Sequence, residues 1–296
     1  MPRTMLSDVS WESLAKLMKA TGRVYNKCEH RLTLEGILYR MRTDCPWRDL
    51  PSEFGHWNTV FRHFNFWSRK GVMAQLFKAL SQDTDLEWVF LDAICVRAHQ
   101  HGHGSATPGD EALGKSGGGN TTKVRLAVDS YGLPVHFQLS AGQVSDISRA
   151  ESLLDGTPVS EYVIADKGYG SQTLGEAIEA RGSQPTIPRR KNNTRNNNGM
   201  DWCLYKYRHL VENMFARIKH FRAIATRYDK LARNFASMLA PAFVIVWLPM
   251  QCERPTVPKF VSWQAKRCAV KSRAPRAERS MTSERVWGRA STKRRP

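Results

Sequence analysis

The sequence shows little sign of a disulfide or zinc framework. Its six cysteines, at positions 28, 45, 95, 203, 252 and 268, form no CxxC pair, and such pairs are typical of zinc ribbons. We therefore expect reduced thiols in an intracellular, cytoplasmic protein.

Apolar targeting segments are also scarce. The start, "MPRTMLSDVSWESL", lacks the apolar core of a signal peptide. The most apolar stretch, "MLAPAFVIVWLPM", contains proline and is short for a bilayer span. The expectation is a protein without a membrane segment.

Acidic residues are few relative to basic ones. The chain has 45 Lys and Arg against 27 Asp and Glu, a formal net charge of +18. This balance makes a polyanion the leading partner, with nucleic acid ahead of an acidic membrane surface. Residues 251–296 carry 13 Lys and Arg against 3 acids, and their weak apolar periodicity predicts a basic, disordered tail.

Three helical patterns open the chain, over residues 8–19, 31–42 and 56–69. The third contains many aromatic residues and ends before Gly71, as a helix with a glycine C-cap would. We interpret residues 1–86 as a helical, helix-turn-helix-like DNA-binding domain. Its candidate DNA contacts are Arg62, His63 and Arg69. A small helical bundle with ordinary surface charges is the alternative.

The middle of the chain, residues 87–250, predicts an α/β domain. "EWVFLDAICVRAH" and two later β-rich runs indicate three strands, followed by a helix near 147–155, a strand ending at Asp166, a helix near 171–181, a short "PTIP" strand and a further helix. The order is βββαβαβα, a mixed five-stranded sheet with helices. A Gly- and His-rich loop separates the first two strands, and a basic loop covers residues 189–202.

Two carboxylates interrupt apolar strand patterns. Asp92 lies inside "VFLDAICV" and Asp166 ends "VIAD". A buried carboxylate is costly unless it is paired or binds a metal. A cap or a salt bridge is the commoner explanation for one such residue, but two of them favour a metal site.

Residues 205–222, "YKYRHLVENMFARIKHFR", read as one helix of about five turns because they contain no Gly or Pro. Tyr205, Arg208, Glu212 and Lys219 fall within roughly 60° of arc on it, opposite an apolar face. A solvated surface would explain this polar face. A third carboxylate, Glu212, on the same face as two cations instead favours a catalytic role.

Several motifs together resemble bacterial insertion-sequence transposases of the DDE type, in the group named for insertion sequence five. These are "CPWRDLP", "GHWNTVFRHFNFW", "FLDAICVRAHQH", "GKSGGGNTTKVRLAVDSYG", "LSAGQVSD", "ADKGYGS" and the Tyr-x2-Arg-x3-Glu-x6-Lys signature. The similarity covers roughly residues 6–248. One departure is Gly170, where the family usually carries Asp.

The resemblance implies a ribonuclease-H-like catalytic domain whose metal-binding and catalytic triad is Asp92, Asp166 and Glu212. Hard oxygen ligands suit Mg²⁺ or Mn²⁺, and two ions would serve phosphodiester cleavage. No nucleotide cofactor is expected, since "GKSGGG" lacks the spacing of a Walker A motif.

A transposase would bind terminal inverted repeats in double-stranded DNA, cleave strands and join them to target DNA, as at least a homodimer. The expected DNA contacts are Tyr205, Arg208, Lys219, Arg62, Arg69, Lys123, Arg189, Arg190 and Lys191. Two alternatives stay open: a catalytically inactive DNA-binding derivative or repressor, and a nuclease without strand transfer.

Overall fold

The computed structural model describes residues 3–24, 30–105, 110–189, 197 and 200–252. Arg190, Lys191 and residues 253–296 lie outside this part of the chain, so the expectations about those two DNA contacts and most of the tail are not addressed by the structure.

Four helices precede the sheet: α1 (Asp8–Ala20), α2 (His30–Thr43), α3 (Trp57–Lys70) and α4 (Val72–Leu80). The predicted N-terminal helical region is thereby confirmed, and α4 is an addition to it. Gly71 ends α3 at φ +67°, a left-handed conformation that glycine adopts without steric cost. The Glu35 carboxylate of α2 is buried and accepts the Met5 and Leu6 amides at 2.8 Å each, which fixes the N-terminal segment to this helix.

The sheet is mixed. Its strands are β1 (Trp88–Ala98), β2 (Gly114–Ser116), β3 (Gly119–Val128), β4 (Pro134–Ala141), β5 (Tyr162–Ala165), β6 (Gln184–Thr186) and β7 (Thr226–Arg227). The main order is β4-β3-β1-β5-β6, with β1, β3 and β4 antiparallel and β1, β5 and β6 parallel.

This arrangement of five main strands confirms the predicted ribonuclease-H-like α/β fold. Two short strands add to it, since β2 pairs with the start of β3 and β7 pairs with the end of β1. The strand β2 lies in the segment that was predicted to be entirely loop. That prediction was wrong there because pairing with β3, a tertiary contact, orders Gly114–Ser116.

Six helices accompany or follow the strands: α5 (Ile147–Asp155), α6 (Gln172–Ala180), α7 (Trp202–Tyr205), α8 (His209–Ile218), α9 (Arg222–Ala225) and α10 (Ala232–Cys252). The single helix predicted over residues 205–222 is wrong. A 3₁₀ turn at Lys206–Arg208 separates α7 from α8, and Lys219 caps α8. The helical stretch begins earlier than predicted, because the Asp201 side chain accepts the Leu204 amide at 2.9 Å.

The helix α10 is the main packing element of the C-terminal half. Its segment Ala232–Pro249 is long and apolar enough to cross a membrane, but 67% of it is buried within the protein. The apolar stretch that the sequence indicated as short for a bilayer span lies within this longer helix, which continues through Pro241 and Pro249. The Trp247 indole donates to the Pro134 carbonyl at 2.8 Å, which joins α10 to β4. Two residues of the predicted tail, 251 and 252, belong to this helix.

The two faces of the sheet have separate cores. Val89, Leu91 and Ala127 pack beneath α5 and α6. Phe90 and Leu126 belong to the other face, where they share one large core with α1–α4, α8 and α10. This core crosses the boundary that was predicted at residue 86. Because side chains alternate along a strand, Asp92 lies on the same face as Phe90.

A buried carboxylate closes the turn between β3 and β4. Asp129 is fully buried, and its Oδ1 accepts the Tyr131 and Leu133 amides at 3.0 and 2.8 Å, as expected for a turn residue. No hydrogen-bond partner is found for its Oδ2 among the described residues. Burial raises the pKa of Asp129 to about 7, although the hydrogen bonds that it accepts from backbone amides lower its pKa.

Because of the raised pKa of Asp129, we expect the free energy of unfolding to depend on pH. The folded pKa of Asp129 exceeds the unfolded value of about 3.9, so its contribution is fully present below about pH 4 and is lost as the pH rises through 7. Asp129→Asn keeps the Oδ1 acceptor but cannot ionise. We expect denaturant unfolding to show that the stability of Asp129→Asn relative to the parent increases by about 3 kcal/mol between pH 4.5 and pH 8. The exposed Asp49→Asn serves as control, and parallel pH profiles for Asp129→Asn and the parent would contradict the assignment.

Candidate active site

Asp92 and Asp166 are neighbours because of strand register. In the parallel pair of β1 and β5, Leu91 lies opposite Ala165. Asp92 and Asp166 follow these two residues, so both carboxylates stand at the point where β5 ends while β1 continues. The predicted positions of the two aspartates, within the first strand and at the end of a later one, are confirmed.

Asp166 is held by the turn that follows it. Its Oδ1 accepts the Gly168 amide at 2.7 Å, and residues Lys167–Tyr169 form a 3₁₀ turn. A Cβ at position 168 would lie 2.7 Å from Asp166 Oδ1, so a side chain there would displace the Asp166 carboxylate. Gly170 has φ −68°, an ordinary conformation, and its amide donates to the Lys167 carbonyl. The loop after Asp166 is therefore tightly turned despite the departure at Gly170.

Arg208 connects Asp92 to Glu212. Its guanidinium donates to Asp92 Oδ2 at 2.9 Å through one terminal nitrogen and to the Glu212 carboxylate through the other. Glu212 lies in the first turn of α8, four residues after Arg208. The exposed fractions of the three side chains are 19% for Asp92, 23% for Arg208 and 51% for Glu212. The site is thus half-open to solvent on the Glu212 side.

The charges at this site are mutually dependent. Burial raises the pKa of Asp92 above its ordinary value, the Ala93 amide and Arg208 oppose that rise, and the Asp166 and Glu212 carboxylates add to it. Burial lowers the pKa of Arg208, but attraction to Asp92 and then Glu212 outweighs burial, so its net pKa is raised. The positive charge of Arg208 therefore offsets part of the repulsion that neighbouring carboxylates exert on Asp92.

The donor set suits a hard divalent cation. Carboxylate oxygens are the ligands that Mg²⁺ and Mn²⁺ prefer, and three carboxylates meet here around one positive charge. Within the described ranges, no three His, Cys, Asp or Glu side chains are drawn together closely enough to hold an ion as they stand. In this arrangement the Arg208 guanidinium occupies one oxygen of Asp92 and one of Glu212.

Tyr205 and Lys219 flank the carboxylates on the same helical segment. Tyr205 ends α7, is half-buried and meets the Trp202 ring edge-on, with centroids 5.8 Å apart. It also acts electrostatically on Arg208. Lys219 is exposed at the end of α8. Both remain predicted DNA contacts.

The other predicted DNA contacts are dispersed. Arg62 and Arg69 are exposed on α3, and Arg189 is exposed after β6. Lys123 is different: its ammonium donates to the Val144 carbonyl at 2.9 Å and lies 3.2 Å from Asp146. A phosphate would have to compete with these bonds. His63, half-buried, packs against His30 and Trp67.

A polar cluster under α5 was not foreseen from the sequence. Arg125 is fully buried, donates to Ser140 Oγ at 2.6 Å and to the Val144 and Ser145 carbonyls at 2.9 Å, and lies 3.2 Å from Asp146. Asp146 therefore pairs with cations and does not act as a helix cap. Burial raises the pKa of the nearby Tyr169 phenol, and Asp146 adds to that effect. A charge within the apolar strand "KVRLAV" was the available signal for Arg125.

The histidines between β1 and β2 contact other side chains, and no cluster of three metal-ligating side chains occurs among the described residues. His99 stacks on Tyr228 with ring centroids 4.4 Å apart, and His103 lies 3.3 Å from Glu111. The first contact joins the loop to the segment after β7, and the second lies within the loop.

The strand order and the group of carboxylates around Arg208 are typical of DDE transposases. Comparison with known families agrees. The chain belongs to the transposase DDE domain family, whose model matches residues 84–247. It is a DDE transposase, a metal-dependent enzyme. Residues 6–77 match a second model, described as a putative transposase of the IS4/5 family.

Two bacterial proteins are similar to parts of the chain. The chain is 36% identical over 129 residues to a putative transposase for insertion sequence element IS6501 from Brucella ovis, covering 43% of this chain and 98% of the relative. It is 33% identical over 102 residues to the uncharacterized protein y4sN from Sinorhizobium fredii, covering 34% of this chain and 82% of the relative.

Among solved structures, the chain is similar to a piggyBac transposase in a synaptic complex with hairpin DNA. The identity is 10%, the TM-score is 0.41, and the match covers 94% of this chain and 85% of that chain. This likeness is too remote to support an argument.

The ion pairs of Arg208 predict how the site binds metal. Replacing Arg208 with Gln removes a positive charge that competes with a cation for Asp92 and Glu212. We expect the DNA-free Arg208→Gln protein to bind Mn²⁺ at least about tenfold more tightly than the parent in calorimetric titration.

Lys219→Gln is the matched control, because it removes a cation of the same helix that has no ion pair with these carboxylates among the described residues. Its Mn²⁺ affinity should stay close to that of the parent. Equal or weaker binding by Arg208→Gln than by Lys219→Gln would show that Arg208 does not compete with the metal.

Proposed function

We propose that this DDE transposase binds the terminal inverted repeats of an insertion sequence, cleaves DNA strands there and transfers the ends to target DNA. The observation that carries the proposal is the convergence of Asp92, Asp166 and Glu212 at one half-open site, with Arg208 between two of them. The net charge of +18 is consistent with a double-stranded DNA partner.

Asp92, Asp166 and Glu212 would hold the divalent metal, as two Mg²⁺ or Mn²⁺ ions. Such ions supply activation of a water or a 3′-hydroxyl and stabilisation of the leaving oxygen in an in-line displacement. The protein supplies rigid placement. Strand register fixes Asp92 beside Asp166, and the Gly168 amide orients the Asp166 carboxylate.

Arg208 has two successive roles in this proposal. In the free protein its guanidinium neutralises Asp92 and Glu212. With a divalent metal held by the carboxylates, the guanidinium fork of Arg208 would be free to donate to a phosphate of the DNA. Its pairing with carboxylates in the free protein therefore couples the binding of DNA to the binding of metal.

Tyr205 and Lys219 would hold the same stretch of DNA. The Lys219 ammonium, exposed at the end of α8, offers a point charge to a phosphate. Tyr205 offers a hydroxyl and a ring beside Arg208. We further propose that the protein acts as at least a homodimer, because two element ends must be paired, and that it works in the bacterial cytoplasm on nucleoid DNA.

The test is Mg²⁺-dependent cleavage and joining of a labelled duplex that carries the sequences flanking the coding region. The parent should cut at the element boundary and yield joined products. Glu212→Gln should lose at least about a hundredfold in cleavage rate, because metal catalysis supplies several kcal/mol, while it still binds the duplex.

Glu151→Gln, an exposed substitution on α5, is the matched control and should cut like the parent. If parent and Glu212→Gln both bind the ends and neither cuts with Mg²⁺ or Mn²⁺, the chain is an inactive DNA-binding derivative. Cutting without joined products would identify a nuclease.

A further inference from the structure

A large groove lies between α3 and the start of α10, which we call the α3–α10 groove. Its volume is about 860 Å³. The residues that line it come from α2, α3, the segment after β7 and the first turn of α10, and they include Arg62, Asn65, Arg69, Lys230, Arg233 and Asn234. None of the three triad carboxylates lines it.

The groove is strongly basic. Arg62 and Arg69 contribute from α3, and Lys230 and Arg233 contribute from the other wall; all four are exposed. Among the described residues that line the groove, Asp229 is the one acid. Its carboxylate lies 3.7 Å from the buried Arg40 guanidinium, so the four exposed cations are left without a balancing charge inside the groove.

The two walls are firmly joined. The Ser68 hydroxyl of α3 reaches the Arg233 carbonyl at 3.2 Å and Asn234 Oδ1 at 3.0 Å. Arg227 is fully buried and donates to the Asp229 carbonyl at 2.7 Å and to the Lys230 carbonyl at 2.9 Å. A buried guanidinium thus shapes the backbone that presents Lys230. Hydrogen bonds between the elements of the fold therefore hold the two walls of the groove in place.

The spacing of the cations fits an extended polyanion. Arg62 and Arg69 are seven residues apart on one helix, a rise of about 10.5 Å. Successive phosphates on one DNA strand advance by about 3.4 Å along the duplex axis, so these two arginines span about three phosphates. A single small anion could not contact both of them and the opposite wall at once.

The strand β1 connects the groove-forming segment to Asp92. Arg227, three residues before Lys230, pairs with Ala98 of β1. Ala98 lies six residues beyond Asp92 on the same strand, a distance of about 20 Å.

From its basic lining, its firmly joined walls and the spacing of its cations we propose that the α3–α10 groove binds the sugar-phosphate backbone of duplex DNA. The proposal rests on the proposed function and adds a second DNA-binding site to it. Its two walls come from the two segments that match different family models, residues 6–77 and 84–247. The helical region therefore contacts DNA jointly with the catalytic part.

Salt-dependent binding of a fluorescein-labelled 40-base-pair duplex of random sequence tests this proposal. The magnitude of the slope of log Kobs against log salt concentration falls by about 0.9 for each phosphate contact removed. We expect Arg62→Gln/Arg69→Gln and Lys230→Gln/Arg233→Gln each to lower it by about 1.8, and the four substitutions together by about 3.6.

Lys16→Gln/Lys19→Gln removes two exposed cations of α1 and is the matched control, whose slope should fall by less than about 0.5. Thermal unfolding of each protein verifies that it is folded. Slopes for the groove variants that equal that of the control would overturn the groove proposal alone.

Asp166→Asn separates the two proposals, because it alters the triad and leaves the groove intact. It should bind the duplex with the slope of the parent and should not cleave. Failure of the parent to bind duplex DNA at any salt concentration would overturn the proposed function and the groove together.

Discussion

The ion pair between Arg208 and Asp92 is the interaction on which this structure is organised. Asp92 lies in the central strand, on the same face as the fully buried Phe90, and a carboxylate there is costly without a positive partner. Arg208 comes from the segment that covers this face of the sheet, 116 residues further along the chain. Satisfying Asp92 therefore fixes the docking of α8, and that docking brings Glu212 to the same place.

The strand β1 links this site to the rest of the molecule. Its first half pairs with β5 and places Asp92 beside Asp166, while its end pairs with β7, which leads to the groove-forming segment. On the face that carries Asp92, helices from both ends of the chain share one core. Asp92 and the groove-forming segment are thus connected through the single strand β1.

The sequence alone was informative where a signal is local. Period-two and apolar runs predicted the five main strands, and charges inside those runs pointed to Asp92 and Asp166. Prediction failed where distant contacts decide the outcome. The 3₁₀ turn at Lys206–Arg208 has no local breaker, since no Gly or Pro occurs there, and α10 continues through Pro241 because it is buried among other helices. The hydrogen-bond and ion-pair partners of Arg125, Asp146 and Arg227 could not be predicted either, because spacing along a chain does not identify a partner across a sheet.

The shared core also has a consequence for how the protein is made. The core around α1–α4 is completed by α10, whose residues are synthesised about 150 positions after α4. A helical region of this kind cannot finish folding as it leaves the ribosome, although N-terminal domains usually fold first. Its apolar surface stays exposed until Trp247 and its neighbours emerge. In a chain that ends before α10, the helices of the first eighty residues would therefore lack part of their core and would not fold stably.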